Sequence, residues 1–280
     1  MKNVLLPRSL CELWRYWEDE PAATVYAGGT DLLVKMRRGT INASSLICLE
    51  RIEELQGVEE EGDFIRIGAC ATHAHLLESS LVQKHLPSLA RALEVLGSPP
   101  IRNMGTIGGN ICTASPAGDT LPPLYALDAE VELCQRDGVR RLTVKDFLVG
   151  PGQTRLDQGE VLTAIWVPKA DEYNLQHYEK VGQRNALAIS IVSLASLVCL
   201  SSAGLVEKVR LAWGGVGPTI VTCPEAEKAL VGKRLTLKTL QQAAVLVRQT
   251  VSPISDLRAD AAYRRALAGN LLLRLLELSR

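Results

Sequence analysis

Residues 101–119 have the sequence IRNMGTIGGNICTASPAGD, in which a glycine pair at 108–109 is surrounded by small and polar residues. The wider stretch from residue 98 to residue 119 shows no regular periodicity, and irregular segments of this length in compact domains are usually functional or disordered. The apolar residues Met104, Ile107 and Ile111 are interleaved with the small ones. We therefore predict an ordered functional loop over 98–119.

A second glycine pair lies near the amino terminus, in the sequence Ala27-Gly28-Gly29-Thr30-Asp31. It follows a β-prone run at 23–27 and precedes a helix-like run at 32–36, so it marks a strand-to-helix turn. Paired glycines let the backbone approach a ligand closely, and successive N–H groups can converge on an anion. Two such loops with polar flanking residues are suited to a pyrophosphate that is held from both sides.

The alternative is that each glycine pair only forms a tight turn. Neither pair completes the G-x-G-x-x-G pattern of a dinucleotide-binding turn or the G-x-x-x-x-G-K-[ST] pattern of a P-loop. The glycine pairs by themselves leave both interpretations open.

The composition is that of an ordinary globular protein. Of the 280 residues, 47% are apolar and 22% are charged, which excludes a disordered chain. The length of 280 residues suggests about two domains. The 31 Lys and Arg residues balance the 31 Asp and Glu residues, which argues against a nucleic-acid partner. The longest apolar run, at 186–200, is shorter than the roughly 20 residues of a membrane-spanning helix. With no signal-peptide core at the amino terminus, we expect a cytoplasmic protein without membrane insertion.

The local patterns predict an α/β region, then a second antiparallel sheet with helices, which together make an α+β arrangement. The Asp137-Gly138 dipeptide indicates a hairpin, and the polar segment 169–175 marks the domain boundary. The predicted helices cover 9–17, 32–36, 72–79, 86–96, 121–127, 223–231, 236–251 and 260–278. The predicted strands cover 23–27, 46–49, 64–68, 131–134, 140–144, 161–167, 176–181, 186–200 and 205–214.

No group of residues indicates a metal site or a catalytic nucleophile. The seven cysteines are dispersed without a C-x-x-C pair, as is usual in a reducing cytosol, and we interpret Cys112 as a packing residue. His73, His75, His85 and His177 have no carboxylates at ligand spacing, and we interpret them as surface imidazoles. No G-x-S-x-G elbow occurs, so catalytic residues stay unknown.

Four motifs together resemble one family. Thr-Ile-Gly-Gly-Asn at 106–110, followed by Ala-Ser-Pro at 114–116 and by Asp119, is similar to a flavin-binding loop in the FAD-binding (medium) subunits of molybdenum hydroxylases. That family includes bacterial xanthine dehydrogenase and carbon monoxide dehydrogenase. AGGTDLL at 27–33 resembles its other flavin loop. YEKVGQR at 178–184 and DLRADAAYRR at 256–265 resemble motifs of its C-terminal domain, so the resemblance spans essentially the whole chain.

The resemblance implies an α+β fold. A two-lobed FAD-binding domain of the vanillyl-alcohol oxidase type would occupy residues 1–170, with lobes at roughly 1–55 and 56–170. A smaller C-terminal domain of sheet and helices, of the CO dehydrogenase flavoprotein type, would occupy residues 171–280.

The resemblance also implies which residues bind FAD. Two segments would surround the pyrophosphate and adenosine, namely Val25, Tyr26, Ala27, Gly28, Gly29, Thr30, Asp31 and Leu32, together with Thr106, Ile107, Gly108, Gly109 and Asn110. Asp119 would accept hydrogen bonds from ribityl or ribose hydroxyls, and Leu162 would touch the cofactor. Lys180 and Tyr178 would lie by the isoalloxazine, where a lysine stabilises negative charge. From its residue type alone, Lys180 would instead be a solvent-facing strand residue.

The implied function is electron transfer within a complex. Partner subunits would supply a molybdenum cofactor (large subunit) and two [2Fe–2S] clusters (small subunit), and this chain would pass electrons to NAD⁺ or another acceptor. No histidine in either loop matches a covalent flavin attachment, so the FAD would be noncovalent. Residues 121–161 contain only Cys134, too few thiols for an inserted iron–sulfur cluster. The alternatives are a free-standing flavin reductase or oxidase, and a non-catalytic protein on a degenerate flavin fold.

Overall fold

The structure is a computed structural model, and it describes residues 3–184 and 187–278. The strands in these residues form sheets of three, five, four and two strands. The three-stranded sheet lies at the amino-terminal end of the chain, the five-stranded sheet in the middle, and the four-stranded sheet in the carboxyl-terminal part.

The first sheet is parallel and has the strand order β1-β3-β2. Its elements, with the two helices that connect its strands, are β1 (Asn3–Leu5), α1 (Leu10–Asp19), β2 (Thr24–Tyr26), α2 (Leu32–Arg37) and β3 (Ser45–Cys48). A 3-10 helix at Glu53–Leu55 follows. Ser9 caps α1, as its sequence position predicts, because its hydroxyl accepts a hydrogen bond from the Glu12 N–H at 3.2 Å. The side chains of Leu13 and Ile47 are fully buried between α1 and the sheet.

The second sheet is antiparallel and has the strand order β4-β5-β10-β6-β7. Its strands, with the small ribbon β8-β9, are β4 (Val58–Glu61), β5 (Phe64–Gly68), β6 (Glu130–Gln135), β7 (Gly138–Thr143), β8 (Leu148–Gly150), β9 (Gln153–Thr154) and β10 (Val161–Pro168). The predicted hairpin is confirmed: β6 and β7 are antiparallel, and Gln135 pairs with Gly138. Strand β10 is central in the sheet and is buried along all but its last residue, which explains its continuous apolar sequence.

Helices fill the segment between β5 and β6. They are α3 (His73–Glu78), α4 (Ser80–His85), α5 (Pro87–Glu94), α6 (Pro99–Met104), α7 (Ile107–Thr113) and α8 (Leu121–Ala126), and α9 (Val144–Phe147) follows β7. The prediction of an irregular loop over 98–119 is wrong for α6 and α7. Ser98 and Thr106 cap these two helices, and Thr106 also forms a β-bridge with Thr72, so contacts with a distant segment support the short helix α7.

The C-terminal sheet is antiparallel, in the order β11-β12-β13-β14. Its strands are β11 (Leu175–Val181), β12 (Val192–Leu200), β13 (Val206–Gly214) and β14 (Val221–Thr222). The helices that follow are α10 (Pro224–Leu230), α11 (Leu237–Thr250), α12 (Ala261–Leu271) and α13 (Leu275–Leu278).

Two predicted elements of the C-terminal part differ from the structure. The strand predicted over 186–200 begins only at Val192, and residue 186 itself lies outside the described residues. The helix predicted over 260–278 is interrupted by a 3-10 turn at Leu272–Arg274. Periodicity identified each element correctly but could not locate its ends.

The C-terminal sheet contributes to two hydrophobic cores. Ala195 and Leu197 of β12 belong to the large core that also holds Leu93 of α5. Leu194 and Val198, which alternate with them, pack into the second core with α10, α11 and α12. Because successive side chains of a strand point to opposite faces, β12 packs into the large core on one face and against the C-terminal helices on the other.

Arg264 links the 256–265 motif to this sheet. Its side chain is only 3% exposed, and it donates hydrogen bonds to the carbonyls of Ile191 and Gly215 and to the Asp256 carboxylate. Backbone N–H bonds from Arg258, and then the Arg264 contact, lower the pKa of Asp256 to about 2. The motif is therefore a structural connection between a loop and the sheet.

Candidate functional site

The first glycine segment (residues 25–32) includes the end of β2, and it lies directly against Met104, which precedes the second glycine segment (residues 106–110). A Cβ on Gly28 would lie 1.6 Å from the Met104 carbonyl oxygen, so only glycine permits this approach. Gly29 has a φ of +70°, a conformation that also favours glycine. Gly28 is therefore in backbone contact with Met104, which lies 76 residues later and two residues before the second motif.

The first segment has the hydrogen-bonding capacity of an anion site. Within the described residues, the N–H groups of Gly28, Gly29 and Thr30 make no hydrogen bond. All three residues are half-buried, and buried backbone N–H groups normally have partners. Consecutive unpaired N–H groups in a turn are the arrangement that binds phosphate oxygens.

The carboxylate of Asp31 joins the first segment to α7. Its Oδ2 accepts a hydrogen bond from the Thr113 hydroxyl at 3.2 Å and forms an ion pair with Lys35 at 2.6 Å. Asp31 therefore has partners within the protein, and its position is fixed from both sides of the turn. Val25, Tyr26, Ala27 and Leu32, the other predicted residues of this segment, are half-buried.

The second glycine segment differs from the prediction in its N–H groups. The Gly108 N–H donates to the Ala69 carbonyl at 2.9 Å, and the Gly109 N–H donates to the Thr106 hydroxyl at 3.1 Å. These glycines are in the first turn of α7 and do not form an open nest. A Cβ on Gly108 would lie 2.7 Å from that of Ala69, so this glycine permits close packing.

The second segment offers a side-chain donor in place of free backbone N–H groups. Asn110 is half-buried on α7, and its Oδ1 accepts a hydrogen bond from the Thr120 hydroxyl at 2.7 Å. Its Nδ2 has no partner within the described part of the chain. The amide nitrogen is therefore a free double donor on the same face of α7 as Thr113, which contacts Asp31 of the first segment.

Asp119, Tyr178 and Lys180 form a buried cluster between the two parts of the chain. The Tyr178 hydroxyl donates to Asp119 Oδ1 at 3.0 Å, and Lys180 Nζ lies 2.6 Å from Asp119 Oδ2. Lys180 Nζ also donates to the Val95 carbonyl at 3.1 Å. Tyr178 and Lys180 are two apart on β11, so both side chains leave the strand on one face.

The protonation of this cluster reflects its burial. Desolvation raises the pKa of Asp119, and the Lys180 ammonium opposes that shift. Desolvation, followed by the Asp119 charge, raises the pKa of Tyr178 well above its usual value. The Lys180 side chain is 7% exposed, which excludes the solvent-facing interpretation that its residue type favoured.

Leu162 is 5% exposed and packs in the large core at a bulge in β10. The next residue, Thr163, accepts a hydrogen bond from the Ala69 N–H through its carbonyl, and the Ala69 carbonyl accepts from Gly108. Leu162 is therefore next to the backbone hydrogen bonds that connect β10, through Ala69, to the second segment. Sequence reasoning missed Ala69 and Thr120, since neither is part of a glycine motif.

The interpretation of His73, His85 and His177 as surface imidazoles is wrong. All three are buried, and His85 and His177 lie next to Asp171 and Glu179 respectively. Burial lowers the pKa of His73 to about 4, and its Nδ1 has no hydrogen-bond partner among the described residues. His73 lies against Gly105, beneath the contact between the two segments.

Within residues 3–184 and 187–278, no group of three or more His, Cys, Asp or Glu side chains is placed to hold a metal ion. No described helix is both long and apolar enough to cross a membrane.

Comparisons with known proteins agree with the resemblance. A family model described as the FAD binding domain in molybdopterin dehydrogenase matches residues 1–170, and one described as the CO dehydrogenase flavoprotein C-terminal domain matches residues 176–278. The chain is 34% identical over 249 residues to the xanthine dehydrogenase FAD-binding subunit of Escherichia coli O157:H7, covering 88% of this chain and 85% of the relative. It is 33% identical over 255 residues to the carbon monoxide dehydrogenase medium chain of Hydrogenophaga pseudoflava, covering 91% and 88%.

Solved structures give the same result. The fold matches a chain of carbon monoxide dehydrogenase from Hydrogenophaga pseudoflava with a TM-score of 0.92 and 33% identity, over 99% of this chain and 96% of that one. It matches quinoline 2-oxidoreductase from Pseudomonas putida 86 with a TM-score of 0.94 and 26% identity, over 100% and 96%. The mixed helix-and-sheet fold, with an FAD-binding domain and a C-terminal domain, is therefore confirmed. Agreement in motifs, sequence and fold over nearly the whole length shows that this chain belongs to the FAD-binding (medium) subunits of the molybdenum hydroxylases, a family of flavoprotein oxidoreductase subunits.

Proposed function

We propose that this chain holds FAD between its two glycine segments and the Asp119 cluster, and carries electrons between partner subunits and a soluble acceptor. The proposal depends on one observation: the N–H groups of Gly28, Gly29 and Thr30 have no partner in the described part of the chain, and Gly28 packs against Met104, just before the second segment. A diphosphate offers the acceptor oxygens that these donors lack. The other residues predicted from the resemblance are the remaining proposed contacts.

Each part of the site has a distinct task in this proposal. The first segment binds the diphosphate through its N–H groups, and Asn110 adds a side-chain donor. Asp119 accepts from hydroxyl groups of the cofactor with the lone pairs that Tyr178 and Lys180 leave free. Since Lys180 is already paired with Asp119, it acts as part of a nearly neutral pair and not as an isolated charge.

FAD supplies two-electron chemistry that can also proceed in single-electron steps. The chain contributes position, exclusion of water and a fixed electrostatic environment. Residues 1–170 and 171–280 are the proposed domains, and the Asp119 cluster bridges them.

The partners that we propose are a large molybdenum subunit and a small subunit with [2Fe–2S] clusters, with NAD⁺ as the acceptor. Support comes from the relatives, since the medium chain of carbon monoxide dehydrogenase and the FAD-binding subunit of xanthine dehydrogenase are by name components of larger enzymes. We expect the complex to act in the cytoplasm.

Cofactor binding can be tested on the chain alone. The purified protein should bind one FAD per chain and release it into the supernatant on acid precipitation, as a noncovalent cofactor does. A protein that ignores added FAD would contradict the proposal, and flavin that remains in the precipitate would contradict noncovalent binding.

Electron transfer requires the assembled complex. Coexpression with the large and small subunits should give substrate-dependent NAD⁺ reduction that is lost when this chain is omitted. Rapid oxidation of NADH by the isolated FAD-loaded chain would favour a free-standing reductase instead. An FAD-loaded complex that reduces dyes but not NAD⁺ would contradict only the choice of acceptor.

A further inference from the structure

Thr120 contains a buried hydroxyl that its local structure does not use. Its side chain is 0% exposed, and the residue is the N-cap of α8. An N-cap threonine ordinarily accepts a hydrogen bond from the first turn of its own helix, but Thr120 makes no such bond. Its hydroxyl instead reaches Asn110 Oδ1, 2.7 Å away and ten residues earlier.

This bond sets the orientation of the Asn110 amide. The two ends of an asparagine amide have nearly the same shape, so hydrogen-bond partners decide which end points where. The buried Thr120 hydroxyl has one partner among the described residues, and donation to Oδ1 satisfies its only hydrogen. Accepting from Nδ2 would leave that hydrogen buried without an acceptor, which is unfavourable. The Asn110 NH₂ group therefore points away from Thr120.

Asn110 lies on the same face of α7 as a residue that contacts the first glycine segment. Residues three apart share one face of a helix, so Asn110 and Thr113 project from the same face of α7. Thr113 on that face contacts Asp31 of the first segment. The free NH₂ group is thus presented toward the region where the unpaired N–H groups of Gly28, Gly29 and Thr30 lie.

We infer that Thr120 is a positioning residue for cofactor binding: it holds the Asn110 amide so that both Nδ2 hydrogens are available to acceptor oxygens of the FAD diphosphate. The inference rests on the proposed function. Thr120 follows Asp119 directly, so one dipeptide supports both halves of the proposed site. Asp119 connects to β11, and Thr120 connects to α7.

The test measures FAD affinity by flavin fluorescence quenching on the apoprotein of the full chain. Thr120→Val keeps the shape but removes the hydroxyl, and we expect about tenfold weaker binding, the effect of one hydrogen bond of about 1.4 kcal/mol. Thr120→Ser keeps the hydroxyl and should bind within about twofold of wild type. Thermal unfolding of each apoprotein checks that the variants fold.

A double-mutant cycle separates positioning from a general structural effect. If Thr120 acts through Asn110, Thr120→Val should have no further effect on FAD affinity in the Asn110→Ala background. Equal weakening in both backgrounds would overturn the inference, and so would wild-type affinity in Thr120→Val. Wild-type protein that binds no FAD would instead overturn the proposed function.

Asn110→Asp gives an independent arm that does not depend on Thr120→Val folding. The carboxylate can still accept from Thr120 but presents an acceptor toward the diphosphate, so it should bind FAD more weakly than Asn110→Ala does. Affinity equal to wild type would contradict the donor role. In wild type, the Asn110 side-chain ¹⁵N–¹H resonances should shift on FAD addition, and unchanged resonances in the FAD-bound protein would also overturn the inference.

Discussion

The buried pair of Asp119 and Lys180 is the most sensitive point at the scale of single residues. Both side chains are at most 10% exposed, so removal of either charge leaves the other desolvated. We expect Lys180→Met to lower the free energy of unfolding by about 3–5 kcal/mol, measured by urea denaturation. The exposed Lys238→Met is the matched control and should have no measurable effect.

The same variant has a defined pH dependence. Without Lys180, desolvation raises the pKa of Asp119 with only the Tyr178 hydrogen bond to oppose it, so the folded state takes up a proton more readily than the unfolded chain. Its stability deficit should therefore shrink as the pH falls from 8 to 5, and Asp119→Asn in the same background should recover part of it. A deficit independent of pH would contradict the assignment of the charge.

His73 gives a second prediction at this scale. Burial lowers its pKa to about 4, below the ordinary value near 6.5, so the unfolded chain binds more protons between those two values. Stability should be fully present above pH 6.5 and should fall by roughly 3 kcal/mol toward pH 4 on account of this residue. His73→Gln should show a correspondingly smaller loss in pH-dependent urea denaturation. The exposed His75→Gln should keep the wild-type slope, and identical slopes for His73→Gln and wild type would contradict this account.

At the scale of elements, the contact between Gly28 and the Met104 carbonyl determines whether the two segments can meet. Gly28→Ala must displace one backbone from the other, since the added carbon would lie 1.6 Å from the oxygen. We expect about 1–3 kcal/mol of lost stability and FAD binding weakened by about tenfold or more. Gly138→Ala, at a glycine with open space around it, is the control and should retain full affinity by fluorescence titration. Unchanged FAD affinity in Gly28→Ala would contradict the proposed place of the diphosphate.

The sequence predicted helices and strands well where interactions between neighbouring residues determine them. The capped start of α1, the alternation of β5 and the β6–β7 hairpin all follow from neighbouring residues. Helices α6 and α7 did not follow, because six or seven residues containing Pro or Gly are poor helix formers. Helix α7 depends on N–H bonds to Ala69 and Ala71, more than 30 residues earlier, which no local pattern reveals.

The site was predictable in part for the same reason. The glycine pairs alone left an anion site and tight turns as alternatives. In the structure, the N–H groups of the first pair have no partner among the described residues, whereas those of the second pair are bonded within the protein. The family resemblance assigned Asp119 and Lys180 to one cofactor site, but it did not predict that the two side chains, 61 positions apart, pair with each other. Thr120 and the buried histidines gave no signal, since a hydroxyl or an imidazole is equally common at the surface.

At the scale of the whole molecule, the C-terminal sheet lies between two hydrophobic cores and contributes side chains to both. Ala195, Leu197 and Ala212 pack into the large core, while Leu194 and Trp213 pack against the C-terminal helices. The large core therefore stays incomplete without the C-terminal part. The protein should unfold as one cooperative unit, although its family domains are distinct in sequence.

A truncation tests this shared core. A fragment of residues 1–170 should bind a hydrophobic dye such as ANS strongly and unfold over a broad urea range, because the face that β12 covers is exposed. The full chain should show one transition that coincides by circular dichroism and tryptophan fluorescence. A fragment with the same sharp midpoint as the full chain would show that the two cores are independent.

The dependence of Asp119 on β11 has a consequence for how the protein is made. Its two donors come from residues 59 and 61 positions later, and domains generally begin to fold from the amino terminus during synthesis. While Tyr178 and Lys180 are still inside the ribosome, the nascent chain holds a lone negative charge at the centre of a closing structure. This unpaired charge should prevent the FAD-binding part of the chain from packing fully until β11 has been translated. We therefore expect FAD to bind the completed chain and not the nascent one.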